Sequence, residues 1–229
     1  MRRLGLSLLG AAVIAAGLIQ PATAQTASAP VYVLTYFDAA PSAAGRTADV
    51  LRQFAASTRK EDGNGELTVL QEIGRPGRFA IVETWRDKAA REGHGAAAKA
   101  LAEKLHPDIS SPFSTRQFDA FSVAPPATGA DPANGVAVLT HVDVFPAGKD
   151  EAAAQVKQLA QDSRKDAGAV RFDAIIMEGR PNHFHLIEVW RDQKAREAHV
   201  LADHTKQFRA KIVPLEGALY DERLYESIR

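Results

Sequence analysis

Cysteine is absent from all 229 residues. Disulfides, thiolate nucleophiles, cysteine-ligated zinc, iron–sulfur clusters and a lipid-modified cysteine are therefore excluded by composition. Charge of one sign is lacking too: 28 Lys and Arg balance 28 Asp and Glu. With no basic stretch, neither nucleic acid nor an anionic membrane surface is an expected partner. The chain carries no G-x-G-x-x-G after a strand, no P-loop and no G-x-S-x-G elbow, which leaves a nucleotide enzyme or serine hydrolase unsupported. Long apolar runs are missing except at the start. There Arg2 and Arg3 precede Leu4–Ile19, and Ala22-Thr23-Ala24 follows. This pattern reads as a signal peptide over residues 1–24, since the run is short for a membrane span of about 20 residues. The mature protein is expected to be soluble and periplasmic or secreted, without membrane contact once the signal is cleaved.

What the chain does contain is a copy of itself. Residues 82–94, "VETWRDKAAREGH", and residues 187–199, "IEVWRDQKAREAH", agree at eight of thirteen positions and hold the only two tryptophans, Trp85 and Trp190. A shift of 105 residues also brings Val33-Leu34-Thr35 onto Val138-Leu139-Thr140, Gly63 onto Gly168, and Gly74-Arg75-Pro76 onto Gly179-Arg180-Pro181. The register needs no gap until about Lys104 and then drifts by a residue or two. A period this long marks two small domains rather than a solenoid. They are expected at residues 31–123 and 135–229, joined by a Pro-, Ala- and Gly-rich linker over 124–134.

Each copy changes hydrophobic period in the same order. Short β-branched and aromatic runs (VYVLTYFD, VAVLTHVDVF) read as strands. A helical stripe follows, at Leu51, Phe54, Ala55 and Thr58 or Val156, Leu159, Ala160 and Ser163. Gly63 and Gly168 sit where a helix would end. Two strands joined by a Gly-Arg-Pro hairpin come next, then a second helix capped by Asp87 or Asp192, then a last strand. The expected fold is α+β, two tandem ferredoxin-like β-α-β-β-α-β repeats. Both faces of Phe79–Trp85 are largely apolar, so the sheets should pack on each other as an intramolecular dimeric α/β barrel. A further homodimer is compatible with the sequence.

Strand alternation places Glu83 and Trp85 on one face, and Glu188 and Trp190 likewise. On the next helix His94 and His199 lie on an alanine-rich apolar stripe. Glu, Trp and His can thus converge between sheet and helix, where a carboxylate and an imidazole in an apolar cleft have shifted proton affinities. The same residues also have packing roles open to them: the histidines as satisfied core groups, the glutamates as partners of Arg91 and Arg196, the tryptophans as core. His183 and His185 share a strand face and offer two metal ligands, but no third ligand has obvious spacing, so no metal is expected. His199 and His204, five apart on a continuous helix, would not share a face.

The motif E-x-W-R-D-x-x-A-x-x-x-H after a β-α-β-β pattern resembles the antibiotic biosynthesis monooxygenase domain of the dimeric α/β-barrel superfamily. The likeness covers both copies and is closer in the second, where "AHVLADHTKQF" continues a His-rich helix. The resemblance implies a ligand cleft between sheet and helices and, for some members, oxygenation of phenolic or quinol-like aromatics by O2 without metal, flavin or other cofactor. On that implication His199, His94, Glu188 and Glu83 are the catalytic candidates. Trp190, Trp85, His141, Tyr36, His204 and Phe208 are the substrate-binding ones. A related branch degrades haem through three residues whose positions fall here on Tyr36 and His141, His94 and His199, and Lys104 and Arg209; none of the three is kept. A non-catalytic barrel binding haem or another apolar ligand stays open as the alternative.

Overall fold

The structure, a computed structural model, describes residues 29–125, 127 and 135–229. The signal-peptide reading lies outside these residues, as does most of the linker. The first repeat runs β1 (Val31–Asp38), α1 (Ala44–Thr58), β2 (Asn64–Glu72), β3 (Arg78–Trp85), α2 (Lys88–Gly93), α3 (Gly95–Leu105) and β4 (Ser114–Ser122). The second runs β5 (Val136–Asp143), α4 (Lys149–Ser163), β6 (Ala169–Met177), β7 (His183–Trp190), α5 (Gln193–Leu201), α6 (Asp203–Ile212) and β8 (Asp221–Ser227). No helix among the described residues is long and apolar enough to cross a membrane.

The eight strands close into one antiparallel barrel in the order β1-β3-β2-β8-β5-β7-β6-β4. Each repeat supplies four neighbouring strands, and the seams are β2–β8 and β4–β6. Closure gives each of these strands a neighbour on both sides, which limits exposed sheet edge. The two faces of each strand meet different cores. Leu34, Ala80, Val82, Leu139 and Ile187 fill the barrel interior, while Phe37, Phe79 and Ile81 meet α1 and α3 outside it. Phe172, Phe184 and Trp190 do the same under α4 and α6. This is why both faces of β3 read as apolar.

Gly63 and Gly168 do not end helices. The helices stop at Thr58 and Ser163, and the glycines shape the turns that follow, at φ of 80° and 89°. Each turn carbonyl accepts from the amide of Arg86 or Arg191, and a Cβ added to either glycine would lie 2.4 or 2.6 Å from the Cβ of Ala90 or Ala195. The glycines thus let the turn approach the strand-to-helix corner. Asp87 and Asp192 cap that corner as expected, accepting from the amides of Ala90 and Ala195 at 2.7 Å.

The repeat register changes earlier than the sequence suggests. The isolated pairs Ala39–Ile109 and Val144–Glu216, and the strand partners Thr35–Thr115 and Thr140–Glu222, place the later elements 107 residues apart. Two extra residues enter the second repeat where the helix breaks at extended Ala202. Phe208 therefore corresponds to Leu101, and Arg209 to Ala102 rather than Lys104.

Candidate active site

In the first repeat Glu83, Trp85 and His94 converge between sheet and helix. Trp85 Nε1 donates to Glu83 Oε2 at 2.7 Å, and the Trp85 and His94 rings lie 4.7 Å apart. His94 Nδ1 is 2.8 Å from Glu61 Oε2, while its Nε2 faces Glu83 Oε2 at 3.8 Å. Nδ1 thus pairs with Glu61, and Nε2 is turned to Glu83 beyond hydrogen-bond distance. Glu83 and His94 are buried, whereas the Glu61 side chain is 32% exposed. The row Glu83–His94–Glu61 thus connects a buried carboxylate to solvent. Glu61 has no local pattern that marks it as a site residue; its match to Asp166 in the 105-residue register is the signal the sequence carries.

Glu83 opens into a cavity of about 90 Å³, lined also by Thr35, Phe54, Arg91, Ala98, Ala102 and Phe113. A separate groove of about 280 Å³ is lined by Val50, Gln53, Ala97, Ala100 and Lys104 of α1 and α3, with Phe54 and Leu101 bordering both spaces. The room exists because α3, GAAAKALAEKL, presents alanines where packed helices carry larger side chains.

The second repeat keeps the corner and fills the cleft. Trp190 Nε1 donates to Glu188 Oε2 at 2.8 Å, and Trp190 stacks on His199 at 4.5 Å. At the positions of Ala98, Leu101, Ala102, Phe113 and Thr115 stand Thr205, Phe208, Arg209, Tyr220 and Glu222. Arg196 and Arg209 both pair with Glu222, and Arg209 lies over the Tyr220 ring at 4.7 Å. Arg196 is thus not the partner of Glu188, and Phe208 is a core residue rather than a free wall. Although the family motif is closer in the second copy, the open cleft belongs to the first.

His199 and His204 do come together, contrary to the continuous-helix expectation. The break at Ala202 reorients α6, and His199 Nδ1 and His204 Nε2 reach Asp166 Oδ2 at 2.8 and 3.1 Å. Tyr36 and His141 do not join either corner. They occupy the opposite face of the sheet and line a cavity of about 260 Å³ at a barrel mouth with Arg116, His185, Asp221 and Arg223. Burial holds His185 well below the ordinary imidazole range, and the Tyr36 hydroxyl and the His185 Nε2 share a hydrogen bond of 2.7 Å. Alternation decides this separation: on β1, Thr35 faces the cleft and Tyr36 the barrel.

Burial raises Glu188 to about 8, against the opposing hydrogen bond from Trp190. A carboxyl raised on folding adds stability that is complete below its unfolded value and is lost as pH rises through its folded value. Stability should therefore fall between about pH 4.5 and 8, by an amount on the order of a few kcal/mol. Glu188→Gln keeps an acceptor for Trp190 and removes the titration. Its urea midpoint should exceed the wild type's at pH 8.5 and vary less from pH 5 to 8.5; an unchanged pH slope would refute this assignment.

The sequence model of the antibiotic biosynthesis monooxygenase family matches residues 30–102 and 135–211. The chain belongs to this family. The candidate monooxygenase YcnE of Bacillus subtilis (strain 168) is 28% identical over 86 residues, 38% of this chain and 90% of its own length. Among solved structures, a candidate monooxygenase from Fusobacterium nucleatum subsp. nucleatum ATCC 25586 superposes with a TM-score of 0.79 at 17% identity, over 88% of this chain and 94% of its own. An anthrone oxidase-like protein does so at 0.67 and 16% identity, over 88% and 92%. These structural likenesses extend over both repeats, so the two-repeat barrel fold occurs in other chains.

Proposed function

We propose that the chain is an exported, cofactor-independent monooxygenase that oxidises a phenolic or quinol-like aromatic with O2 in the cleft of its first repeat. One observation carries this reading: Glu83, buried at the floor of an alanine-walled cleft, is linked through His94 to a carboxylate at the surface. An electron-rich ring edge enters beside Glu83 while the rest of the molecule lies in the adjacent groove. Glu83 takes a proton from the activated carbon or its enol hydroxyl, and Arg91 faces the developing anion. The anion passes one electron to O2, and recombination forms a C–O bond as a hydroperoxide. Loss of water then leaves a carbonyl: CH2 and O2 become C=O and H2O. The abstracted proton, held on the Glu83–His94–Glu61 row, returns to the peroxide oxygen to complete that hydroperoxide, so none is left on the protein. The second repeat closes the barrel and does not turn over. Residues 1–24 support export by their basic, apolar and small-residue order.

Oxygen uptake with anthrone-type phenols and quinols tests this reading. Ala102→Arg places in the first cleft the side chain that fills the second. It should lower kcat/KM at least tenfold while the protein stays folded. Uptake at background rate by the wild type across such substrates would overturn the proposal.

A further inference from the structure

The barrel mouth holds a group of side chains that the cleft chemistry does not use. His141 and Asp143 stand two apart on β5, and His183 and His185 two apart on β7. The register sets His141 opposite His185 and Asp143 opposite His183, so all four project from one face at the strand ends. One ligand atom each from His141, Asp143 and His183 lie within 4.8 Å of one another. His183 Nε2 is 3.3 Å from Asp143 Oδ1, and the His141 and His183 rings stack at 5.8 Å. Two ring nitrogens here, His141 Nε2 and His183 Nδ1, are buried and meet no hydrogen-bond partner. Buried polar atoms are rarely left so.

The other repeat supplies an internal control. At the matching positions it has Tyr36, Asp38 and Arg78. There the Arg78 guanidinium bonds Asp38 through Nε at 2.8 Å and also faces Glu72 at 3.5 Å. Asp38 is thus neutralised by a fixed cation that has only N–H to offer. The second repeat keeps the aspartate and replaces the guanidinium with an imidazole, whose lone pair can ligate. Tyr36 likewise becomes His141. Both replacements turn a position that cannot bind a metal, or binds it poorly, into a good nitrogen ligand.

We propose that His141, Asp143 and His183 bind a divalent first-row transition metal at the mouth of the barrel. Two imidazoles and a carboxylate suit Zn2+, Fe2+, Ni2+ or Cu2+ rather than Mg2+ or Ca2+. In a tetrahedral site ligand atoms stand roughly 3.4 Å apart, so rotations at strand ends suffice to close the set. His141 also lines the 260 Å³ cavity, which leaves a coordination position facing a space able to take water or a small anion. Arg223 there is paired with Asp221 at 2.6 and 2.9 Å, and Arg116 is exposed. The partners of His183 thus come from the neighbouring strand, which linear spacing does not reveal, while His185 stays with Tyr36.

Untagged full chain, stripped with a chelator, is titrated with Co2+ and with Zn2+ and followed by visible absorption and equilibrium dialysis. One metal per chain at micromolar concentration is expected, with a metal-dependent rise in melting temperature. His183→Arg and His141→Tyr install the residues of the first repeat, and Asp143→Asn removes the carboxylate. Each folded variant should bind at least tenfold more weakly, and Asp143→Asn should lose the thermal shift. His204→Ala tests the other cluster, Asp166–His199–His204, and should leave binding unchanged. No micromolar binding by the wild type, undiminished binding by the three variants, or loss confined to His204→Ala would each overturn the site. None of these readouts depends on oxygenase activity.

Discussion

Glu83→Gln should lower kcat/KM for aromatic oxidation by about 10²- to 10⁴-fold, the usual contribution of a positioned general base. That corresponds to roughly 3–5 kcal/mol of barrier. The amide keeps an acceptor for Trp85 Nε1, so the hydrogen bond at 2.7 Å and the packing of the corner survive. What disappears is the proton acceptor facing the cleft. Glu188→Gln, the same change in the second repeat, should leave the rate within about twofold, because Phe208, Arg209 and Tyr220 fill the corresponding space. Equal losses in both variants would mean that the corner matters for stability rather than chemistry. A loss in Glu188→Gln alone would move the reaction to the second copy. Initial rates of oxygen consumption and product formation at substrate concentrations below KM separate these cases.

Arg171→Ala should cost about 3 kcal/mol of unfolding free energy, read from urea midpoints at constant m-value. Arg171 is nearly buried, and its Nε donates to Asp173 Oδ2 at 2.7 Å while NH1 donates to Glu66 Oε2 at 2.7 Å. Removing the guanidinium strands the Asp173 carboxylate, whose side chain is 4% exposed. Glu66 is 38% exposed, so it turns to water and adds little. The double variant Arg171→Met with Asp173→Leu should recover most of the loss by removing both buried charges. If Arg171→Ala unfolds at the wild-type midpoint, the network does not stabilise the barrel. Glu66 and Arg171 are also the same position of the two repeats, 105 residues apart. An exact homodimer would set Glu against Glu or Arg against Arg there; joining the two domains in one chain permits opposite charges across the pseudo-two-fold.

The architecture was legible along the chain. The 105-residue shift, the apolar character of both faces of Phe79–Trp85, and the conserved order of strand and helix periods between the copies together require two half-barrels packed sheet to sheet. Local rules sufficed there, because alternation and helical periodicity are properties of neighbours along the chain. They also placed Glu83, Trp85 and His94 in one layer. Which copy has room is a matter of packing between elements. The cleft depends on Ala98, Leu101 and Ala102 meeting Phe54 and Phe113 from other elements, and on a two-residue insertion at Ala202 that moves Phe208 and Arg209 into the matching space of the second repeat. Packing in space also makes Tyr36 and His141 face the barrel, His199 and His204 meet on Asp166, and Asp143 stand beside His183. Each of these depends on register between strands or on the direction a helix takes after a break. No spacing along the chain encodes such a relation, since the partners are set by pairing in space.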